Sequence, residues 1–202
     1  MSESKKAKSQ TLEFYDQHTE DFISGTLEAD MEGTRTRFAS YLPDHALILD
    51  FGCGSGRDTK AFLQEGYQVE ATDGSEEICI KASEYTGIHV QKMLFSELCA
   101  KEKYDGIWAC ASILHLPREE LKDTLKKIET ALKPGGILYT SFKYGTFEGI
   151  RNDRYFTDFT EETLDAFWKE ATSMRIIEIW ITEDVRSDRK GKQWINLISK
   201  RV

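Results

Sequence analysis

Apolar side chains in the first forty positions recur at helical intervals. Leu12, Tyr15 and Phe22 mark a predicted helix from Thr11 to about Ile23, and Met31, Phe38, Tyr41 and Leu42 mark a second from Leu27 to Leu42. Pro43-Asp44-His45 breaks that rhythm, and the run from Ala46 to Phe51 then carries apolar residues with almost no polar alternation. A strand covered on both faces has this pattern, which implies a parallel sheet. Strand and helix patterns alternate from there. Thr59–Glu65 is a helix ended by Gly66, 67–72 a strand, 76–85 a helix ended near Gly87, 88–91 a short strand and 104–110 another. A long helix from Glu119 to Leu132 opens after Pro117 and stops at Pro134-Gly135-Gly136, and a fifth strand spans 137–142. Such alternation specifies right-handed β-α-β units in a doubly wound sheet. The last third reads as a polar and aromatic connection (145–159), a helix (161–171) and two apolar strands (175–181 and 193–199) around a polar hairpin loop, 182–192. The predicted fold is therefore α/β, a single domain with a doubly wound, mostly parallel, seven-stranded sheet and an antiparallel edge pair.

A length of 202 residues with 40% hydrophobic content suits one domain. The balance of 35 acidic against 27 basic residues gives a net charge of -8, which makes nucleic acid a poor default partner. Cys53, Cys79, Cys99 and Cys110 are spaced neither as zinc ligands nor as a disulfide framework, so they read as reduced thiols of a cytoplasmic protein, with no metal site expected. The opening residues are polar, unlike a secretory signal, and no run approaches the roughly 18 apolar residues of a spanning helix.

Candidate chemistry centres on Asp50-Phe51-Gly52-Cys53-Gly54-Ser55-Gly56, between the first buried strand and a helix. Alternate glycines let the chain turn sharply and bring bare backbone, with its N–H groups, against a ligand. Asp73 follows at the end of the next strand, 21 positions after Gly52, where a carboxylate can accept bonds from both ribose hydroxyls or cap the following helix, a task Ser75 can also perform. The spacing G-x-G-x-G differs from the dinucleotide pattern G-x-G-x-x-G, and Asp58 places a further carboxylate where a pyrophosphate would rest; both weigh against NAD.

The chain resembles the class I S-adenosylmethionine-dependent methyltransferases, and more narrowly their small-molecule branch of the tellurite-resistance type. The resemblance rests on the residues from Ile48 to Asp58, on Ala71-Thr72-Asp73-Gly74-Ser75, on the stretch from Tyr104 to Cys110 and on Leu132-Lys133-Pro134-Gly135-Gly136. It implies S-adenosylmethionine as cofactor, with Gly52, Cys53, Gly54 and Gly56 beside its methionine and ribose and Asp50 toward its amino group. It further implies Asp73 on the ribose, Gly74, Met93 and Leu94 around the adenine, and Cys110 and Ala111 near the sulfonium. Residues 1–45 would be N-terminal helices forming a lid over the cofactor, with Tyr15 closing over it or merely seating its helix, and residues 46–202 the core domain. Cys110 reads as a small, chemically idle residue in preference to a thiolate, since no base adjoins it in sequence.

Methyl transfer from a sulfonium releases a neutral leaving group, so positioning the acceptor can supply much of the rate without an acid or base. His115, after the fourth strand, could act as a base or could serve packing. Basic and aromatic residues gather after the fifth strand (Lys143, Tyr144, Arg151, Arg154, Tyr155, Phe156) and in the hairpin loop (Arg186, Arg189, Lys190, Lys192). They read either as solvated surface charge or as a pocket for a small anionic acceptor, with His115, Tyr144, Arg151, Arg154, Tyr155 and Arg186 as candidate contacts. An RNA methyltransferase and a non-catalytic nucleotide-binding module are the alternatives.

Overall fold

In the central strands, neighbouring residues point to opposite faces and both faces are covered. Ile48, Trp108, Tyr139 and Ile198 pack on one side against Phe38 and Phe62, while Leu49, Ile107, Leu138 and Leu197 pack on the other against Leu121, Leu125, Leu164 and Phe167. This two-sided burial is why the strand sequences lack polar alternation. The computed structural model describes residues 3–186 and 189–202, with side chains from residue 10 onward.

The elements run in the order α1 (Glu3–Gln17), α2 (Thr19–Leu27), α3 (Glu32–Ala39), β1 (Leu47–Phe51), α4 (Arg57–Gln64), β2 (Gln68–Asp73), α5 (Glu76–Thr86) and β3 (Val90–Lys92). They continue with β4 (Tyr104–Ala109), α6 (Arg118–Ala131), β5 (Leu132–Lys143), β6 (Glu148–Arg151), β7 (Arg154–Thr157), α7 (Glu161–Ala171), β8 (Arg175–Glu183) and β9 (Gln193–Lys200). Seven strands form one sheet in the order β3-β2-β1-β4-β5-β9-β8, with β9 antiparallel to both β5 and β8. The predicted α/β sheet and its antiparallel edge pair are both present.

Three local expectations are corrected. The two predicted N-terminal helices are three, because the chain breaks at His18 and again between Leu27 and Met31 while the apolar rhythm runs on. The supposed connection 145–159 contains the hairpin β6–β7, whose turn residues Asn152 and Asp153 sit at φ of 49° and 59°. Pro134-Gly135-Gly136 lies within β5, where the pairing shifts between Tyr104–Leu132 and Gly106–Ile137, so α6 has already ended at Ala131. Of the predicted hairpin loop, residues 187 and 188 lie outside the described residues, as do residues 1 and 2 of the proposed lid segment. Among the described residues no helix is long and apolar enough to cross a membrane.

Candidate functional site

The carboxyl ends of β1, β2, β4 and β5 open into one cleft with a cavity volume of about 260 Å³, roofed by α1 and α2. This is where open α/β sheets place ligands. Tyr15, Asp50, Gly52, Cys53, Gly54, Asp73, Gly74, Met93, Leu94, Cys110 and Ala111 all line it, together with His115, Arg154 and Arg186.

Four of the expected residues do not line it. Gly56 sits behind the loop as the left-handed start of α4, where a Cβ would meet Thr86 Cγ2 at 2.6 Å; its glycine is required for packing against α5. Arg151 turns away and forms a two-bond pair with Asp158, at 2.9 and 3.1 Å. Tyr155 directs its hydroxyl to Glu148, and Tyr144 is an exposed residue beyond the end of β5. The expectation of three arginines facing the pocket therefore fails at Arg151, because the buried Asp158 carboxylate beside it captures its guanidinium.

The glycine loop works differently from the expectation that its N–H groups are open to a ligand. Gly52 and Cys53 both donate to the Thr72 carbonyl at 2.9 Å, Gly54 donates to Asp73 Oδ2 at 3.0 Å and Gly56 donates to the Cys53 carbonyl at 3.1 Å. Those four donors are consumed, so at these positions the loop offers bare surface to a ligand and not free N–H groups. A Cβ at Gly54 would point at the Phe22 ring, 3.1 Å away, and one at Gly74 would meet Leu12 Cδ2 at 2.8 Å, so residues of α1 and α2 lie directly over the cradle.

Three carboxylates border this half of the cleft, each in a different state. Asp50 is buried and accepts from the Thr59 hydroxyl at 2.6 Å; burial first, and then the charge of Asp58, raise its pKa to about 7. Asp58 stays well ionised despite burial, because Arg57, Arg35 and the Trp108 indole N–H all donate to it. Its charge is spent inside the protein, which removes the pyrophosphate-repulsion argument drawn from the sequence. Asp73 accepts from Gly54 N–H and Ser75 N–H, and burial raises its pKa. Ser75, not Asp73, caps α5, its hydroxyl accepting from Ile78 N–H.

On the opposite side, His115 Nδ1–H donates to the Tyr155 carbonyl at 2.6 Å, which leaves Nε2 to accept from the Tyr15 hydroxyl at 2.9 Å. Burial, aided by the charges of Arg154 and Arg151, lowers its pKa to about 4, so the imidazole is neutral. The Cys110 thiol is pushed up to about 12 by burial and by Asp58, which keeps it protonated and unreactive. Sequence reasoning missed Tyr139, Ser141, Trp194 and Asn196 as lining residues and left Lys143 out of the candidate contacts. The signal was present in the period-2 series Tyr139, Ser141, Lys143, all on one face of a central strand. Lys143 Nζ and Arg186 both donate to Asp184, whose carboxyl these bonds hold well below the usual range despite burial. Burial lowers Lys143 to about 8. Among the described residues no group of three or more metal-ligating side chains occurs.

Sheet order and cleft position together define the class I methyltransferase fold. Residues 48–136 match the family described as Methyltransferase domain. Among solved structures, the 1,6-didemethyltoxoflavin-N1-methyltransferase of Burkholderia thailandensis, with bound 1,6-didemethyltoxoflavin and S-adenosylhomocysteine, superposes with a TM-score of 0.83 at 20% identity, over 100% of this chain and 92% of that one. The magnesium protoporphyrin IX methyltransferase of Synechocystis PCC 6803 with bound S-adenosylhomocysteine gives 0.72 at 18% identity, over 96% and 100%. Among curated proteins, the putative methyltransferase YqeM of Bacillus subtilis (strain 168) is 27% identical over 140 residues, 63% of this chain and 55% of that protein. The alpha N-terminal protein methyltransferase 1 of Caenorhabditis elegans is 34% identical over 97 residues, 45% and 42%. The chain spans about half the length of these curated relatives.

Proposed function

We propose that the protein is an S-adenosylmethionine-dependent methyltransferase acting on a small acceptor. The observation that carries this reading is the glycine loop, whose N–H groups at Gly52, Cys53, Gly54 and Gly56 are already bonded within the protein. A dinucleotide pyrophosphate needs such donors free, whereas a cofactor with an ammonium and a sulfonium needs acceptors, and the Asp50 and Asp73 carboxylates border the same cradle. In this reading Asp73 takes the ribose hydroxyls, Asp50 faces the amino group, Gly74, Met93 and Leu94 flank the adenine, and Cys110 and Ala111 lie near the reactive methyl. The cofactor supplies the methyl group. The chain holds the acceptor in line with it and excludes water by closing α1 and α2 as a lid, with Leu12, Tyr15 and Phe22 on its inner face.

An acceptor of small-molecule size is supported by the toxoflavin enzyme, whose fold covers this entire chain. The narrower tellurite-resistance resemblance rests on the sequence motifs alone. A reducing setting such as the cytoplasm is supported by four free cysteines. The test is a melting-temperature series with S-adenosylmethionine, S-adenosylhomocysteine and NAD, followed by transfer of labelled methyl to a metabolite library. A ligand of the folded state at a hundredfold excess over Kd stabilises by about 2.7 kcal/mol, so the first two compounds should raise Tm. Stabilisation by NAD alone would refute the reading.

A further inference from the structure

The basic side chains of the cleft differ in what they are bonded to. Arg57 is spent on Asp58, and Lys143 and Arg186 are both spent on Asp184. Arg154 is different: among the described residues no carboxylate lies within ion-pair distance of it. Its Nε donates at 3.5 Å to the Asn152 carbonyl, and its guanidinium lies over the rings of Phe14 at 4.2 Å, Phe156 at 5.4 Å and Tyr15 at 5.8 Å. Such ring contacts favour the cation through its flat faces, and although the Tyr15 hydroxyl also approaches the guanidinium, no carboxylate among the described residues satisfies its N–H edge. Of the two nearest acidic residues in sequence, Asp158 is taken by Arg151, and Asp153 accepts from Gln10 without pairing with Arg154. The turn residues Asn152 and Asp153 set Arg151 and Arg154 opposite each other in the β6–β7 pair, both near Phe156, and of the two only Arg154 lines the cleft.

We propose that Arg154 is the anchor for an anionic group of the methyl acceptor, a carboxylate or an oxygen pair of similar shape. This rests on the methyltransferase reading. The guanidinium fork matches such a group in two parallel bonds, and the partly buried, ring-lined setting strengthens them relative to water. The cleft is divided by charge in the corresponding way. Asp50 and Asp73 border the glycine cradle, whereas Arg154 lies with His115 on the side of the β6–β7 hairpin, and the positive field of Arg154 is felt by that imidazole.

The competing source of a carboxylate is the methionine end of the cofactor, and the experiment separates the two. In protein labelled with 15N-arginine, the Arg154 Nε–H signal is assigned by its loss in R154Q. With S-adenosylhomocysteine saturating, benzoate is titrated against benzamide, which has the same shape without the charge. Benzoate should shift the Arg154 signal saturably and benzamide should not. R154Q should bind benzoate at least about tenfold more weakly, and R154K, which keeps the charge, should recover part of that loss. The Kd of S-adenosylhomocysteine should stay within about twofold in both variants, as expected for a residue that touches only the second substrate. The proposal is overturned if benzoate leaves the signal in place, or if S-adenosylhomocysteine alone moves it and R154Q loses cofactor affinity. Failure of the unaltered protein to bind S-adenosylhomocysteine would instead remove the methyltransferase reading, and this inference with it.

Discussion

Asp73 and His115 illustrate how a neighbour decides what a side chain is free to do. Because Ser75 caps α5, Asp73 is released from that task, and its carboxylate bridges the two loops that form the cradle. Asp73→Asn keeps the shape and one acceptor oxygen. It should weaken S-adenosylhomocysteine binding by about 1.5–3 kcal/mol, the range for hydrogen bonds to a charged group, as read by calorimetry. Unchanged affinity with a lowered Tm would assign Asp73 to holding the loops alone. His115 yields a pH prediction. Its pKa is lowered to about 4, so between about pH 6.5 and 4 the unfolded chain takes up a proton that the folded chain refuses. The His115 contribution is complete above that window and lost as pH falls through it. Asp50, raised to about 7, has the opposite sign and adds stability as pH falls from 7 toward 4. Comparison with His115→Gln isolates the first effect: from pH 7 to 4.5 the variant should gain on the parent protein by on the order of 1–2 kcal/mol in urea unfolding, after allowing for the ring's partial exposure. A constant difference would mean that the imidazole is not held neutral. At this scale the sequence revealed the residue types and their order along the chain. It could not reveal that Asp58 is neutralised by Arg35, 23 positions away, because that contact requires α3 to fold back over α4.

At the scale of elements, the roof of the cleft is tied down on both sides by polar contacts. The Thr11 hydroxyl accepts from Tyr155 N–H of β7, and the Ser75 hydroxyl at the start of α5 donates to Asp16. Among the described side chains, α1 adds no apolar residue to the buried core, whereas α6 buries Leu121, Leu125 and Ile128 there. Hydrogen exchange should accordingly be fast in α1 and slow in α6, and S-adenosylhomocysteine should slow α1 and α2 selectively. Exchange in α1 that ignores the ligand would show that these helices are not a lid. The strands and the helices packed on them were legible from sequence, since burial on two faces leaves a strong apolar record. The hairpin β6–β7 was not, because strands of four residues with mixed polarity carry no clear period. Its turn, Asn152-Asp153, was the available signal.

For the molecule as a whole, the sheet and its nucleotide-type cleft followed from the alternation of patterns, and the position of β9 between β5 and β8 could be expected only as an edge pair, without its order. That position governs assembly. Strand β8 is made before β9 yet pairs with nothing else, so it has no place in the sheet until β9 has closed against β5 across some fifty intervening residues. Loop closure of that length is slow compared with the local β-α-β pairings of β1 to β4. The cradle half of the cleft can therefore form early in folding, whereas the wall carrying Asp184 and Trp194 is completed last, so a kinetically trapped chain would hold the glycine loop and Asp73 in place with the cleft still open on its far side.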